Sequence, residues 1–305
     1  MVHGRFARGA VLLLTLAVSL ALSSPSSAVQ GQAQAELPVL DAVAVEGAAP
    51  RAKAPALPEH NAVDDGGRAT TPIIKEEQIT VWDLPPGSPV FNPVSGRTEV
   101  IDPSIARTAL LFGDSQAGGA SGVTGAETWV QKGLRNSGYK VRFVGAGGIG
   151  FVAKTSASAN YPDSVESGAV VLPYGNPALV VVQGGGNDAA AKVPDAQVLA
   201  NAERLLRDLK SSYPVSEFLI VGTLAKGEAG SRRSHVDALL ASFAKRNGVL
   251  FLSAGDWVTR YAVTNKMADA VHLNAKGHEV LSKVLVSKLG ALQLQIPQQS
   301  TQKQG

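Results

Sequence analysis

Three short polar segments in this chain stand at the ends of apolar runs, and each carries residue types able to move a proton or hold charge. Gly113-Asp114-Ser115 closes the run Thr108-Ala-Leu-Leu-Phe-Gly113. A serine at a strand-to-helix turn exposes its hydroxyl beside backbone N–H groups, and it becomes a nucleophile once a base is near. Asp269-Ala-Val-His272 supplies such a base. A carboxylate three residues before a histidine in a turn can reach Nδ1–H, hold the tautomer, and stabilise the imidazolium formed when Nε2 takes the serine proton. Gly184-Gly-Gly-Asn187-Asp188 follows Ala178-Leu-Val-Val-Val-Gln183. Its glycines let a ligand approach the backbone, and an asparagine amide can donate to a developing oxyanion. Alone, each segment reads equally well as a helix cap, a surface histidine or a polar turn.

The elements that must position these residues follow from periodicity. Besides the two runs above, Lys140-Val-Arg-Phe-Val144, Glu217-Phe-Leu-Ile-Val221 and Val249-Leu-Phe-Leu-Ser253 are short strand candidates. Continuously apolar strands fit a parallel sheet covered on both faces. Between them, Val198, Leu199, Ala202, Leu205, Leu206 and Leu209 share one helical stripe, as do Val236, Leu239, Leu240 and Phe243. Leu281, Val284, Leu285 and Leu289 form a third stripe after Asn274, a plausible N-cap, and Glu127 to Asn136 forms a shorter helix closed by Gly138. This alternation predicts an α/β fold, a three-layer α/β/α sandwich on a mainly parallel sheet of about five strands. Ligands of such sheets bind at the carboxyl ends of the strands, where all three polar segments fall.

In that order and placement the segments resemble the blocks of the SGNH/GDSL hydrolase family: Gly113-Asp114-Ser115, Gly150, Gly185-Gly186-Asn187-Asp188 and Asp269-Ala-Val-His272. The resemblance covers residues 105 to 292. It implies a serine esterase in which Ser115 attacks the ester, His272 is general base and acid, and Asp269 orients His272. It further implies an oxyanion hole of the Ser115 N–H, the Gly150 N–H and the Asn187 side chain, with Asp114 and Asp188 bonding loops around the site. Gly147 and Gly148 remain alternatives to Gly150, which aligns best by its distance from the strand. Ala270 stands where many relatives have glycine. No cofactor or metal is implied.

Other readings fit less well. Gly145-Ala-Gly147-Gly148-Ile-Gly150 matches the dinucleotide fingerprint, but the residues after Gly150 lack the helical periodicity that fingerprint needs, and Asp163 and Glu166 precede the next strand instead of ending it. The P-loop-like run from Gly148 has Ala153 where the glycine before the lysine belongs. The G-x-S-x-G elbow is absent, with Ala117 at its second glycine. His278 lies near His272, but no further clustered ligand accompanies it and Asp269. Trp82, Trp129 and Trp257 read as core or rim packing.

The chain ends place this domain. Arg5 and Arg8 precede an apolar run from Ala10 to Leu22 and then Ser23-Ser-Pro-Ser-Ser-Ala28, the pattern of a signal peptide (1–28) cleaved after Ala28. An Ala/Pro-rich linker (29–72), a short β-rich lead-in (73–104), the hydrolase domain (105–292) and a Gln-rich tail (293–305) follow. Within the lead-in, Ile79-Thr-Val-Trp82 and Arg97-Thr-Glu-Val-Ile101 are expected to pair as a hairpin. The formal charge of +3 falls to about +1 without the first 28 residues, so there is no electrostatic case for nucleic acid. The absence of cysteine excludes thiol nucleophiles, thiolate zinc sites and disulfides. The expectation is an extracytoplasmic ester hydrolase without a membrane span after signal cleavage. Its substrates would be small-molecule or glycan-borne esters, with short O-acyl groups on envelope glycans or glycolipids as the expected kind. An O-acyltransferase and a non-catalytic wall-binding protein are the alternatives.

Overall fold

The structure is a computed structural model in which residues 80–297 are described. The expected signal segment and linker, the first residues of the expected lead-in and the end of the expected tail lie outside the described residues. The described chain begins with a hairpin, β1 (Pro89–Asn92) antiparallel to β2 (Arg97–Val100). Its first strand is not the expected Ile79–Trp82 run. Val81–Asp83 forms a 3-10 turn, because the Thr80 N–H and hydroxyl both donate to Asp83 Oδ2 (2.7 and 2.9 Å). Those local bonds outweigh the β preference of Val and Trp. The hairpin is fastened by Val100, whose N–H donates to Leu172 O (2.9 Å) and whose carbonyl accepts from Tyr174 N–H (2.8 Å).

The main sheet contains β3 (Thr108–Gly113), β4 (Lys140–Gly145), β5 (Leu179–Gln183), β6 (Glu217–Val221) and β7 (Leu250–Leu252). All neighbours are parallel, in the order β4-β3-β5-β6-β7. Both central strands, β3 and β5, are buried along their whole length. Their side chains divide by the two-residue period of a strand. Leu110, Phe112, Val180 and Val182 enter one core layer, while Ala109, Leu111, Leu179 and Val181 enter the other.

Helices cover both faces, as the apolar strands require. In chain order they are α1 (Ser115–Gly118), α2 (Trp129–Asn136), α3 (Tyr161–Glu166), α4 (Gly186–Ala190), α5 (Asp195–Ser212), α6 (Arg232–Arg246), α7 (Trp257–Arg260) and α8 (Ala275–Ala291). Val198, Leu205 and Leu209 of α5 and Val236, Leu240 and Phe243 of α6 fill the first layer; Val130 and Leu134 of α2 and Leu281, Leu285 and Leu289 of α8 fill the second. Asn274 caps α8 by accepting the Gly277 N–H at 3.0 Å. Trp129 and Trp257 meet edge to face in the second layer (centroids 5.3 Å apart). After β3 the chain steps to one side, to β4, and then crosses back to β5. The carboxyl ends of β3 and β5 therefore flank the crevice at which a doubly wound sheet binds its ligands.

Candidate active site

Ser115 enters this crevice because β3 stops at Gly113 and α1 begins two residues later. The turn is tight: a Cβ on Gly113 would lie 2.5 Å from Ala117 Cβ, so only glycine fits. Asp114 caps α1, its Oδ1 accepting the Gln116 N–H at 2.8 Å. The Gln183 amide, with its nitrogen turned inward, reaches the same oxygen at 3.2 Å. Asp114 is only 3% exposed, and burial pushes its carboxyl up to about 6 against the opposing pull of the Gln116 N–H and the Arg233 guanidinium. Ser115 itself is half-buried, with its hydroxyl turned outward to His272.

The loop before α8 brings the other two expected residues to that hydroxyl. His272 Nε2 lies 2.9 Å from Ser115 Oγ, and His272 Nδ1 lies 2.8 Å from Asp269 Oδ2. Asp269 Oδ1 accepts the N–H groups of Val271 and His272, each at 2.7 Å. The His272 N–H, the Ser121 hydroxyl and the Val271 N–H hold the Asp269 carboxyl far below the usual carboxylate range. An ionised Asp269 makes Nδ1 the protonated ring nitrogen, which leaves the Nε2 lone pair to accept from Ser115. A further clamp ties the loop to α1: Gln116 Nε2 donates to Val271 O at 2.9 Å. Such a line of groups can draw the proton from a serine hydroxyl as it bonds to an electrophilic carbon.

Asn187 and Asp188 come from the start of α4, after Gly185 takes a left-handed turn (φ 95°). Asp188 is fully buried and accepts three N–H groups, from Phe151 (2.9 Å), Val152 (2.8 Å) and Ala153 (2.8 Å). It braces the loop after β4 against the loop after β5. Asn187 Nδ2 donates to Ile149 O (2.8 Å), with Asp114 Oδ2 at a loose 3.4 Å from the same nitrogen. One amide proton is thus anchored and the second is weakly held.

Gly150 does not sit as expected. A trans peptide presents its C=O and N–H on opposite sides. Because the Ile149 carbonyl faces Asn187, the Gly150 N–H points the other way and donates to Ala153 O at 2.8 Å. The space at Gly150 is filled by Asp188, whose Oδ2 would be 2.3 Å from an added Cβ. Gly147 is the glycine beside Ser115, since a Cβ on it would lie 3.7 Å from Ser115 Cβ. Gly148 faces Thr155 instead (3.0 Å from its Cγ2). No helix opens at Gly150, which disposes of the dinucleotide fingerprint.

His278 is buried and takes a structural part: its Nδ1 accepts the N–H of Trp129, the first residue of α2, at 3.0 Å. Burial, and secondly the neighbouring His272, push its pKa down to about 4, so it is neutral around pH 7. The sequence reading missed Gln116 and Ser121. The first follows Ser115 without any motif, and the second is marked only by the glycines around it.

Residues 111–280 match the family model described as the GDSL-like Lipase/Acylhydrolase family. No curated protein matches the chain. Among solved structures, an active-site mutant of a family two carbohydrate esterase from Clostridium thermocellum is 14% identical, with 66% of this chain and 69% of that one covered and a TM-score of 0.51. An acetyl xylan esterase from the rumen bacterium Butyrivibrio proteoclasticus is 14% identical, covering 65% and 68%, with a TM-score of 0.49. A member of the lipolytic protein G-D-S-L family from Veillonella parvula is 16% identical, covering 59% and 96%, with a TM-score of 0.47. At 14% identity the likeness to the Clostridium thermocellum esterase is one of fold.

Proposed function

The chain belongs to the GDSL-like Lipase/Acylhydrolase family and is a serine esterase, and from that premise we propose that it removes short O-acyl groups from glycans or glycolipids outside the cytoplasm, through an acyl-enzyme on Ser115. One observation carries this reading: the unbroken line from Asp269 to His272 to Ser115, at 2.8 and 2.9 Å, on the ligand-binding edge of the sheet. As Ser115 Oγ bonds to the ester carbonyl carbon, its proton passes to His272 Nε2, and Asp269 stabilises the imidazolium. Collapse of the tetrahedral intermediate breaks the bond to the alcohol, which leaves with the proton from His272. A water then attacks the acyl-enzyme with His272 again as base, releasing the acid and restoring Ser115.

The oxyanion would be held by the Ser115 N–H, the Gly147 N–H and the loosely engaged proton of Asn187 Nδ2. Gly147 replaces Gly150 in this assignment because its backbone lies beside Ser115 while the Gly150 N–H is already bonded. The remaining specifics rest on separate supports. The signal-like N-terminus supports export, and no described helix is long and apolar enough to cross a membrane. The carbohydrate esterase that shares the fold motivates a sugar-borne ester.

The test is a panel of aryl acetate, butyrate and octanoate together with acetylated oligosaccharides, assayed for free acid with and without an unacetylated sugar acceptor. Free acetate from aryl and sugar esters is the expected outcome, with Ser115→Ala lowering the rate by about 10⁴-fold or more. Transfer of the acetyl group to the acceptor with little free acid would make the protein an acyltransferase. Absence of turnover on every ester would overturn the reading.

A further inference from the structure

Ser121 adopts a backbone conformation that serine disfavours, and its hydroxyl ends on the acid of the triad. Ala120-Ser121-Gly122-Val123 is a turn closed by the Val123 N–H on Ala120 O (3.0 Å), with φ of 51° at Ser121 and 83° at Gly122. Turns with both central residues at positive φ ordinarily use glycine, asparagine or aspartate there, because a Cβ strains the left-handed region. The turn is entered through Gly119 (φ 96°), where a Cβ would lie 2.4 Å from Val123 O. Glycine is thus used on both sides of Ser121, and a demand of the turn alone would be met by a third.

What serine adds is one hydrogen bond. Its Oγ donates to Asp269 Oδ2 at 2.7 Å, across 148 residues of sequence and onto the oxygen that also accepts His272 Nδ1–H. The other oxygen, Oδ1, is pinned by two backbone N–H groups of its own loop. Asp269 is exposed, so water competes for Oδ2 on its open side. A donor arriving from a different loop occupies that side and leaves Oδ2 aimed at the imidazole.

We infer that Ser121 is a positioning residue for the proposed reaction: its hydroxyl holds Asp269 Oδ2 against His272 and ties the turn after α1 to the acid–base loop. The inference rests on the esterase reading, and its test separates the two. Ser121→Gly removes the hydroxyl and relaxes the backbone; Ser121→Thr restores the hydroxyl with a β-branched side chain in a strained conformation. For the full-length protein on an aryl acetate, Ser121→Gly is expected to keep or raise the melting temperature. Its kcat should fall about three- to tenfold, the scale of one hydrogen bond to a charged group screened by solvent, with KM nearly unchanged. Ser121→Thr should recover most of that loss in kcat while its melting temperature falls. Rate and stability would then move in opposite directions, which a merely structural serine cannot produce. Full kcat in Ser121→Gly, or rates that simply follow melting temperature, would overturn the inference while leaving Ser115 as nucleophile. A wild type inactive on every ester, or a Ser115→Ala variant as active as wild type, would instead sink the reading on which it rests.

Discussion

Asp188 and Asp269 both accept backbone N–H groups in loops beside Ser115, yet one is fully buried and the other stands exposed. The loop after β5 is fixed from below. Asp188 accepts three N–H groups of the neighbouring loop from a fully buried position. The loop before α8 is fixed from its sides. Asp269 collects two N–H groups of its own turn, the His272 ring and the Ser121 hydroxyl, with solvent close by. A buried carboxylate satisfied in this way is a structural brace whose loss is felt by the fold. An exposed one is screened by solvent and contributes less to the fold, so most of its effect falls on the chemistry that its charge supports.

Three substitutions can break or sharpen that contrast. The largest effect belongs to the exposed carboxylate. Asp269→Asn should lower kcat by about 10⁴-fold, because the amide can support the wrong imidazole tautomer and no longer stabilises the imidazolium. Its thermal stability at neutral pH should fall by less than that of Asp188→Ala, because solvent screens the exposed charge and the amide oxygen can still accept the Val271 and His272 N–H groups. A cooperative loss of folding in this variant would contradict the assignment of Asp269 to chemistry.

Asp188→Ala comes next and should act the other way. Three N–H groups lose their acceptor, for which the expected destabilisation is about 3 kcal/mol or more, read as a lower midpoint in urea unfolding. Whatever molecules remain folded should still label at Ser115. An unfolding curve within about 0.5 kcal/mol of wild type would show that the brace is dispensable.

The smallest effect concerns Asp114, which shares the burial of Asp188 and precedes Ser115. Its folded pKa of about 6 lies above the ordinary value of 3.8, so it favours the folded state most below pH 4. That contribution disappears as pH rises through about 6, where the buried group must ionise. Between pH 7 and 4 the wild type should therefore gain on the order of 2 kcal/mol relative to Asp114→Asn, whose amide can still cap α1. Parallel stability profiles for the two proteins over that range would rule out the buried charge as the cause.

The comparison also shows what was legible in the sequence. The apolar runs of β3 and β5 announced a sheet buried on both faces, and the α5, α6 and α8 stripes announced its cover. Ser115, Asp269 and His272 stood out as candidates because each has a local signal, a serine next to a strand end and a carboxylate three residues before a histidine, while the 157-residue gap between Ser115 and His272 is closed only by the fold. Gly150 was misplaced because the direction of a peptide plane depends on a partner far away, here Asn187 on Ile149 O across 38 residues. Ser121 was invisible for the same reason, since its partner lies in another loop and its strain appears only as a dihedral angle. The helices α1, α3 and α4 have four to six residues, too few to show a helical period. The Ile79–Trp82 run misled because a cap formed by Thr80 and Asp83 turns its last residues into a 3-10 turn.

If Ser115 is the nucleophile and His272 activates it, a reagent that traps activated serines must find Ser115. The most direct measurement is the rate and site of labelling by a fluorophosphonate, read by mass spectrometry of the labelled peptide. A single adduct on Ser115 is expected in the wild type, none in Ser115→Ala, and labelling slowed by several orders of magnitude in His272→Ala. An adduct on another residue, or ester hydrolysis that persists undiminished in Ser115→Ala, would contradict that role for Ser115.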